Sequence, residues 1–228
     1  MSRTPAAARR VLLFGKVPRP GETKTRLAPA LGARGAARLY RAFLDDTVRL
    51  ARASGAAEVE LWLAGPEEEA GGLARRHPDL RLRRQRGDGL GDRLRHAFDT
   101  AFREGVGAAA ALGTDHPTLP PGRLEDAFRA LEGADAALGP TPDGGYYLLA
   151  LRREAWPRAE ELFLEVPWST PEVAAATRSR ARRAEIELRT LDGWYDVDEP
   201  GELDRLRRDA EPGTATARIL ERLDAGRG

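Results

Sequence analysis

The chain has 228 residues, 41% of them hydrophobic, which is long enough for one sizeable core and short for two independent domains. Its 37 Lys and Arg nearly balance its 36 Asp and Glu, so the net charge of +1 gives no overall field that would attract nucleic acid or a membrane surface. The lack of cysteine excludes disulfides, Cys-ligated zinc and thiol catalysis. We therefore expect a single domain over residues 1–228, and we expect any bound metal to be a hard, oxygen-ligated ion, Mg²⁺ or Mn²⁺.

Short apolar runs alternate with segments of helical periodicity along the chain. Strands are predicted at residues 11–14, 59–63, 80–82, 108–112, 134–138, 146–151 and 185–191. Helices are predicted at residues 36–53, 67–76, 90–104, 124–131, 171–183, 202–208 and 215–223. This alternation predicts an α/β fold with a Rossmann-like, mostly parallel sheet and helices on both faces. No apolar run approaches the roughly 20 residues of a membrane span, which predicts a soluble, cytoplasmic protein without a membrane span.

A basic loop, FGKVPRPGETKTRL over residues 14–27, follows the first predicted strand. Both lysines of the chain lie in it, and its Pro and Gly residues precede a predicted helix. A loop in this position can aim backbone N–H groups and cations at phosphate oxygens. The spacing is not that of a Walker A loop, and a solvated basic turn is the alternative. We expect nucleotide phosphates to be bound by Lys16, Arg19, Gly21, Lys24, Thr25 and Arg26.

Two further clusters follow predicted strands. In QRGDGLGDRL, residues 85–94, Gly87 and Gly89 would let the backbone approach a base or ribose closely, although an ordinary turn with an Asp as helix cap explains the pattern equally well. In GTDHP, residues 113–117, Asp115 follows a central apolar strand. A carboxylate is costly there unless it meets a cation, so Asp115 is a candidate metal ligand. Its alternative role is to cap the helix that begins near Pro120.

The last three clusters lie in the second half of the chain. TPDGGYYLL, residues 141–149, and PWST, residues 167–170, are candidate acceptor-binding loops, although a plain hairpin and a helix cap explain them equally well. Their candidate acceptor-binding residues are Asp143, Gly144, Gly145, Ser169 and Thr170. In WYDVDEP, residues 194–200, Asp196 and Asp198 are two apart on an extended segment and point to one side, where they could hold a metal ion. Capping of the next helix is the alternative for Asp198.

The motifs FGKxPxPGxxKTRL, GTDxP, PDGGYYLL, PWST and YDVDxP, in this order, resemble a bacterial family of uncharacterised proteins classed with the GT-A glycosyltransferases. Some members of that family are labelled arsenosugar-biosynthesis glycosyltransferases. The motifs extend from near the N-terminus to about residue 206. The chain is more distantly similar to the guanylyltransferases that act on phospholactate or phosphoenolpyruvate, and to the molybdenum-cofactor guanylyltransferases.

The resemblance implies a nucleotide-diphospho-sugar transferase fold, donor phosphates on the basic loop, and Mg²⁺ on Asp115, Asp196 and Asp198. Lys24 and Asp115 are then the expected catalytic residues. One departure matters, because glycosyltransferases of this fold usually carry Asp-x-Asp where this chain has Gly113-Thr114-Asp115. We expect a metal-dependent glycosyltransferase that joins a nucleotide-sugar donor to a small-molecule acceptor. Nucleotidyl transfer with release of pyrophosphate is the alternative, and a non-catalytic nucleotide-binding protein is an alternative of another class.

Overall fold

One sheet lies at the centre of the part of the chain that the computed structural model describes, residues 8–56, 58–66 and 70–225. Within these residues its strands are β1 (Arg9–Lys16), β2 (Glu58–Ala64), β3 (Arg81–Arg84), β4 (Ala108–Gly113), β5 (Ala136–Pro140), β6 (Tyr146–Arg152) and β7 (Leu188–Thr190). Their order across the sheet is β3-β2-β1-β4-β6-β5-β7. Neighbouring strands pair in parallel except at β6, which runs antiparallel to both β4 and β5. The predicted α/β fold with a mostly parallel sheet is confirmed.

Helices cover both faces of this sheet. In the described residues they are α1 (Ala28–Ala53), α2 (Gly71–Arg76), α3 (Leu90–Arg103), α4 (Gly122–Ala130), α5 (Trp156–Ala159), α6 (Val173–Arg183), α7 (Leu203–Asp209) and α8 (Ala215–Ala225). Short 3-10 turns occur at Thr25–Leu27, Arg153–Ala155, Glu160–Phe163 and Pro200–Glu202. Helix α1 is interrupted at Gly32, which has φ +69° and ψ +155°.

The central strands β1, β4 and β6 are apolar over most of their length because both of their faces are buried. Val11 and Leu13 of β1 pack in one cluster with Phe43 of α1. Leu12, which lies between them, packs in the opposite cluster with Phe98 of α3. Successive strand residues point to opposite faces, so a strand covered on both sides shows a continuous apolar run instead of an alternating one.

The position of β1 and β4 determines where a ligand can bind. From β1 the sheet continues through β2 and β3 on one side and through β4 on the other. The connections therefore reverse direction between β1 and β4, and a crevice opens beyond the carboxyl ends of these two strands. The loops that follow β1 and β4, and the loop between β5 and β6, meet at this edge.

The predicted elements are found, most of them with bounds that shift by a few residues, but α1 begins at Ala28 instead of residue 36. Residues 67–69 of one predicted helix lie outside the described residues. The helical turns over residues 153–163 were not predicted, and the hairpin that the sequence left as an alternative at residues 141–149 makes β6 antiparallel to β4 and β5. The antiparallel direction follows from the short hairpin loop, residues 141–145, which returns the chain beside β5. Among the described residues, no helix has the length and apolar composition that crossing a membrane requires. The organisation as a single domain stays a prediction.

Candidate active site

A cavity of about 630 Å³ opens at the carboxyl edge of the sheet. It lies where the loops after β1, β3 and β4, the β5–β6 loop and the segment after β7 converge. Most of the residues that the sequence singled out line it: Lys16, Lys24, Thr25, Arg26, Gly89, Asp115, Asp143, Gly145, Ser169, Asp196 and Asp198. The strand-end clusters therefore come together in one place, as parallel strands require. The binding roles assigned to these residues stay predictions.

The basic loop is held against the sheet by its own backbone. The Val17 N–H donates to the Ala64 carbonyl at 2.9 Å, which extends the β1–β2 pairing beyond the strands. The buried Thr23 hydroxyl donates to the Val17 carbonyl at 3.1 Å and closes the loop. Lys24 follows in the left-handed region with φ +50°. Since a non-glycine residue pays a conformational cost in that region, the surrounding contacts must hold Lys24 in place.

The contacts of Lys24 are two carboxylates and two aromatic rings. Its ammonium lies 2.6 Å from Asp115 Oδ1 and also forms a short ion pair with Asp198. The same Nζ atom lies 5.8 Å from the ring centres of Tyr40 and Phe43. Only 5% of the Lys24 side chain is exposed, so for Lys24 the alternative of a solvated basic turn is not observed. The reason is tertiary: the two carboxylates come from distant segments of the chain.

The pKa values of this cluster follow from burial and charge. Burial by itself lowers the pKa of Lys24, but Asp115 and Asp198 outweigh it and the pKa is raised. Burial likewise acts to raise the pKa of Asp115, but Lys24 prevails and the pKa is lowered. At neutral pH the lysine is therefore charged and Asp115 is ionised. The two carboxylate side chains are each 42% exposed toward the cavity, so a ligand can reach them.

Backbone contacts between two distant segments bring Asp115 and Asp198 together. The Val197 N–H donates to the Asp115 carbonyl at 3.0 Å, and the ring of His116 lies 3.0 Å from the Tyr195 carbonyl. Neither aspartate serves as a helix cap. The N-cap of the turn at Pro200 is Glu199, in a capping box with Glu202, and no side-chain cap is found at α4. The capping alternatives for Asp115 and Asp198 are therefore not observed.

Asp196 lines the same cavity without a cation partner among the described residues. Burial first, and then the nearby carboxylates of Asp198 and Asp143, raise its pKa to about 6. In the described part of the chain, no three acidic or histidine side chains are arranged to hold a metal ion. The three aspartates are therefore not preassembled around one point, and the Lys24 ammonium lies between Asp115 and Asp198.

These residues nevertheless fit a hard cation. Asp115 and Asp198 already direct carboxylate oxygens at one positively charged atom, and Asp196 supplies a third carboxylate that has no cation partner among the described residues. In proteins, Mg²⁺ is usually bound through one or two carboxylates together with substrate phosphates and water, rather than by a cage of protein ligands alone. A complete set of protein ligands is therefore not required.

Lys16 differs from Lys24 in being exposed at the end of β1. Its backbone N–H donates to the Tyr40 hydroxyl at 2.8 Å, and that hydroxyl lies 2.8 Å from the Thr114 hydroxyl. These contacts fix the backbone where β1 and β4 end. The ammonium of Lys16 forms no ion pair within the described residues and remains available to a ligand in the cavity.

The two candidate acceptor loops are fastened to each other. Asp143 accepts hydrogen bonds from the Thr141 hydroxyl and, at 3.1 Å, from the Gly145 N–H, which closes the β5–β6 turn. Gly144 has φ +88°, and a Cβ added to it would lie 1.9 Å from the Pro171 carbonyl oxygen. The backbone of the turn therefore lies directly against the start of α6. The hairpin alternative is observed, and it brings Asp143 to the cavity together with Ser169.

Five predicted residues do not line the cavity. Arg19 forms an ion pair with Glu22 at 2.6 Å, and the Thr170 hydroxyl donates to the Pro167 carbonyl at 2.7 Å. The other three are glycines that shape their loops through positive φ angles: Gly21, Gly87 and Gly144. The sequence did not identify Tyr40, Gln85 or Arg93 as members of the site, although all three line the cavity. Gln85 and Arg93 lie within QRGDGLGDRL, residues 85–94, which the sequence had already singled out. Their place in that segment was the available signal.

Comparisons with known proteins agree with this geometry. A family model described as "uncharacterized protein conserved in bacteria (DUF2064)" matches residues 47–170. A solved structure from Desulfovibrio desulfuricans G20, classed provisionally as a nucleotide-diphospho-sugar transferase, is 31% identical with a TM-score of 0.87. The match covers 96% of this chain and 96% of that one. No protein of curated function matches the chain in sequence.

More distant structures share the fold. A 4-diphosphocytidyl-2C-methyl-D-erythritol synthase is 10% identical with a TM-score of 0.62, and the match covers 91% of this chain and 100% of the synthase. Rv0371c of Mycobacterium tuberculosis H37Rv, in complex with manganese, is 15% identical with a TM-score of 0.51 over 95% of this chain and 99% of that one. The fold of the chain is that of nucleotide-diphospho-sugar transferases and nucleotidyltransferases.

Proposed function

We infer that this chain, which belongs to the DUF2064 family of bacterial proteins, is a metal-dependent transferase that uses a nucleotide donor. The observation that carries the inference is the pairing of opposite charges across one cavity: lysines at the end of β1 and in the loop after it face carboxylates from the loop after β4 and from the segment after β7. Donor phosphates need cations, and a bound metal ion needs carboxylates. The similarity to a nucleotide-diphospho-sugar transferase over nearly the whole chain supports the same conclusion.

The basic loop supplies the donor site. Lys16 is exposed and has no ion pair in the described chain, so it can bind a phosphate without giving up a partner. Arg26 and Thr25 line the same wall of the cavity. Lys24 is different, because it would have to exchange Asp115 and Asp198 for phosphate oxygens. Its compact ammonium suits such an exchange better than the planar fork of an arginine would.

Asp115 and Asp198 would hold Mg²⁺ or Mn²⁺, with Asp196 as a further oxygen ligand. Such an ion, when bound, would neutralise the negative charge that develops on the leaving phosphate. The chain itself contributes positive charges to the binding site through Lys16 and Lys24. A small acceptor would lie over the β5–β6 turn, near Asp143, Gly145 and Ser169.

We propose glycosyl transfer as the reaction, with a nucleoside diphosphate as leaving group and the acceptor attacking the sugar. One observation favours the second candidate, nucleotidyl transfer, in which the acceptor attacks the α-phosphate and pyrophosphate leaves. At the first position of the expected Asp-x-Asp, a Cβ added to Gly113 would lie 3.2 Å from His116 Nε2. A carboxylate side chain there would be crowded by His116, so the β4 end offers Asp115 alone.

A thermal-shift experiment tests what both candidate reactions require, the Mg²⁺-dependent binding of a nucleotide donor. Nucleoside triphosphates and sugar nucleotides are screened with and without Mg²⁺, and a true donor raises the melting temperature because binding to the folded state stabilises by RT ln(1 + [L]/Kd). We expect the shift to require Mg²⁺ and to be lost in Asp115→Asn and Asp198→Asn. Asp126→Asn is the matched control, because this exposed carboxylate lies on α4, outside the cavity, and pairs with Arg129.

The products then distinguish the reactions. Glycosyl transfer releases a nucleoside diphosphate from a sugar nucleotide, and nucleotidyl transfer releases pyrophosphate from a triphosphate. If no nucleotide raises the melting temperature, with or without Mg²⁺, the proposal is refuted. It is also refuted if Asp115→Asn shows the same shift in melting temperature as the unaltered protein. Specific binding without turnover of any acceptor would favour the non-catalytic alternative.

A further inference from the structure

We propose that a second cavity, between α1, α2 and α8, binds a small organic phosphate at a site separate from the proposed active site. This α1–α8 cavity has a volume of about 410 Å³. Among the described residues, no side chain that lines it also lines the cavity at the carboxyl edge of the sheet. Tyr40 of α1 lines the proposed active site, whereas Arg38 and Arg41 of the same helix line the α1–α8 cavity. Helix α1 therefore stands between the two sites.

The α1–α8 cavity carries an excess of positive charge. Five arginines from three helices line it: Arg38 and Arg41 of α1, Arg76 of α2, and Arg218 and Arg222 of α8. Within the described chain, the one carboxylate in its wall is that of Asp45. Both oxygens of Asp45 are already bound by Arg76, each at 2.6 Å, and Oδ1 also lies 3.0 Å from His77 Nε2. Asp45 therefore leaves the other arginines without a counter-charge.

The arginines without a counter-charge lie close together on their helices. Arg38, Arg41 and Arg222 form no ion pair or hydrogen bond among the described residues. Arg38 and Arg41 are three positions apart on α1, and Arg218 and Arg222 are four apart on α8, so each pair lies on one side of its helix. Like charges at these spacings destabilise a helix, and the packing of α1 against α8 brings both pairs to one cavity. An anion bound there would replace this repulsion by attraction.

The walls of the α1–α8 cavity are fixed by contacts within the protein. The buried carboxylate of Asp46 on α1 accepts hydrogen bonds from the Ala215 N–H at 2.9 Å and from the Thr216 N–H at 2.7 Å. These bonds fasten the start of α8 to α1. Arg218 Nη1 donates to the Gly213 carbonyl at 2.8 Å, which restrains one of the five arginines. Because the helices are already in place, a ligand does not have to order them when it binds.

The other side chains in the wall indicate which kind of anion fits. They are aliphatic: Ala42, Ala215, Ile219 and Leu223. The planar guanidinium group binds phosphate oxygens in pairs, and the aliphatic side chains offer contact to a hydrocarbon or aromatic group. A phosphate ester with an apolar body satisfies both, whereas inorganic phosphate satisfies only the arginines. The volume lies within the range of small-molecule sites, about 300–1,000 Å³, which favours a small ligand over a membrane surface.

Calorimetry with naphthyl phosphate and with inorganic phosphate tests this proposal, in EDTA so that no metal ion contributes. We expect naphthyl phosphate to bind the unaltered protein more tightly than inorganic phosphate. Arg38→Gln combined with Arg41→Gln should weaken its binding at least about tenfold, because charge-assisted hydrogen bonds are lost. Arg222→Gln, in the opposite wall, should weaken it as well. The double variant loses a pair of like charges and should melt no lower than the unaltered protein, which excludes unfolding as the cause.

Arg178→Gln combined with Arg182→Gln is the matched control. It removes the same charge from α6, which contributes to neither cavity in the described chain, and should change the dissociation constant by less than about twofold. Lys16→Ala, in the proposed active site, should also leave it unchanged. Equal weakening in the control and in the Arg38 and Arg41 variant overturns the proposal, because general charge would then explain the binding. Binding that is lost in Lys16→Ala overturns it too, since the ligand then lies in the proposed active site.

Two further results would contradict the proposal. One is that naphthyl phosphate does not bind the unaltered protein at millimolar concentration. The other is that vesicles of phosphatidylglycerol bind through Arg38 and Arg41 although naphthyl phosphate does not, which would assign this face to a membrane surface. Neither result bears on the proposed function, because the thermal-shift screen tests a different cavity.

Discussion

The ammonium of Lys24 lies 2.6 Å from Asp115 Oδ1 and binds Asp198 at the same time. The donor-free protein therefore holds a cation of its own between two carboxylates that would bind a metal ion. A lysine and a divalent cation cannot occupy this position together. Metal binding should therefore depend on whether Lys24 has moved to a phosphate.

We expect Lys24→Met to lower the free energy of unfolding by about 1–2 kcal/mol near pH 7, less than for a fully buried ion pair because both carboxylates are partly exposed. Asp115 has a lowered pKa, so its contribution is present above its ordinary value of 3.8 and is lost as the pH falls through the lower folded-state value. The raised pKa of Lys24 keeps that contribution complete at neutral pH. Denaturant unfolding at pH 7 and at pH 3 measures the difference, which should shrink in acid.

The same variant should bind Mn²⁺ more tightly than the unaltered protein when no nucleotide is present, as measured by calorimetry. Lys16→Met is the control, since it removes the same charge from an exposed position and should change stability by less than about 0.5 kcal/mol. If Lys24→Met and Lys16→Met behave alike in both measurements, the contact between Lys24 and the carboxylates has no energetic importance.

Lys16→Ala should weaken donor binding by about 1.5–3 kcal/mol, the value of a charge-assisted hydrogen bond, and leave the melting temperature unchanged. Lys16→Arg should restore affinity only in part, because a planar guanidinium does not reproduce the position of a compact ammonium. Calorimetric titration with the best donor from the thermal-shift screen provides the measurement. Unaltered affinity in Lys16→Ala would mean that the phosphates bind elsewhere.

Asp196→Asn should stabilise the protein in the absence of divalent cations. Burial and the carboxylates of Asp198 and Asp143 raise the pKa of Asp196 to about 6, so ionising it at pH 7 costs folding free energy. The gain should be on the order of 1 kcal/mol after allowance for solvent screening, and it should disappear as the pH falls from about 6 toward the ordinary value of 3.8. Thermal melts with EDTA across this range measure it.

With Mn²⁺ and donor present, the unaltered protein should be more stable than Asp196→Asn, because bound metal then stabilises the unaltered protein more. If Asp196→Asn is no more stable than the unaltered protein at pH 7 in EDTA, Asp196 is well solvated, and burial and the neighbouring carboxylates do not act on it as described above.

Gly144→Ala should destabilise the protein more than Gly55→Ala. Both glycines have positive φ, at +88° and +66°, so alanine costs about 1–2 kcal/mol at either position. An added Cβ finds nothing within 4 Å at Gly55 but lies 1.9 Å from the Pro171 carbonyl oxygen at Gly144. Denaturant unfolding of the two variants isolates the effect of the close approach. Equal losses would mean that the loop at Gly144 can move away from α6 at no cost.

Several properties could be predicted from the sequence because they depend on local pattern. Apolar runs such as residues 108–112 indicated buried strands, and the polar clusters at strand ends indicated an edge of the sheet. The topology of parallel strands then required Lys16, Asp115 and Asp198 to approach the same edge. These predictions needed only periodicity and the rule that parallel strands end together.

Only the tertiary structure distinguished residues that look equivalent in the sequence. Lys16 and Lys24 are eight positions apart in one loop, yet the first is exposed and the second is enclosed by Asp115, Asp198 and two aromatic rings. Arg19, in the same loop, turns to Glu22 instead of the cavity. Such differences depend on which distant segments approach each side chain, and a single sequence contains no record of those distances.

The amide of Gln85 shows the same division. The sequence by itself predicted a strand at residues 80–82 and a loop cluster at residues 85–94, without singling out Gln85. The direction of its amide was decided only when β1 and β2 brought the carbonyls of Gly15 and Trp62 to within 3.0 Å of its nitrogen. Local pattern selects the elements and the kinds of residue at their ends, since propensity and periodicity act over a few residues. The long-range approach of strands decides charge state, exposure and hydrogen-bonding direction, because these depend on neighbours that are remote in the chain.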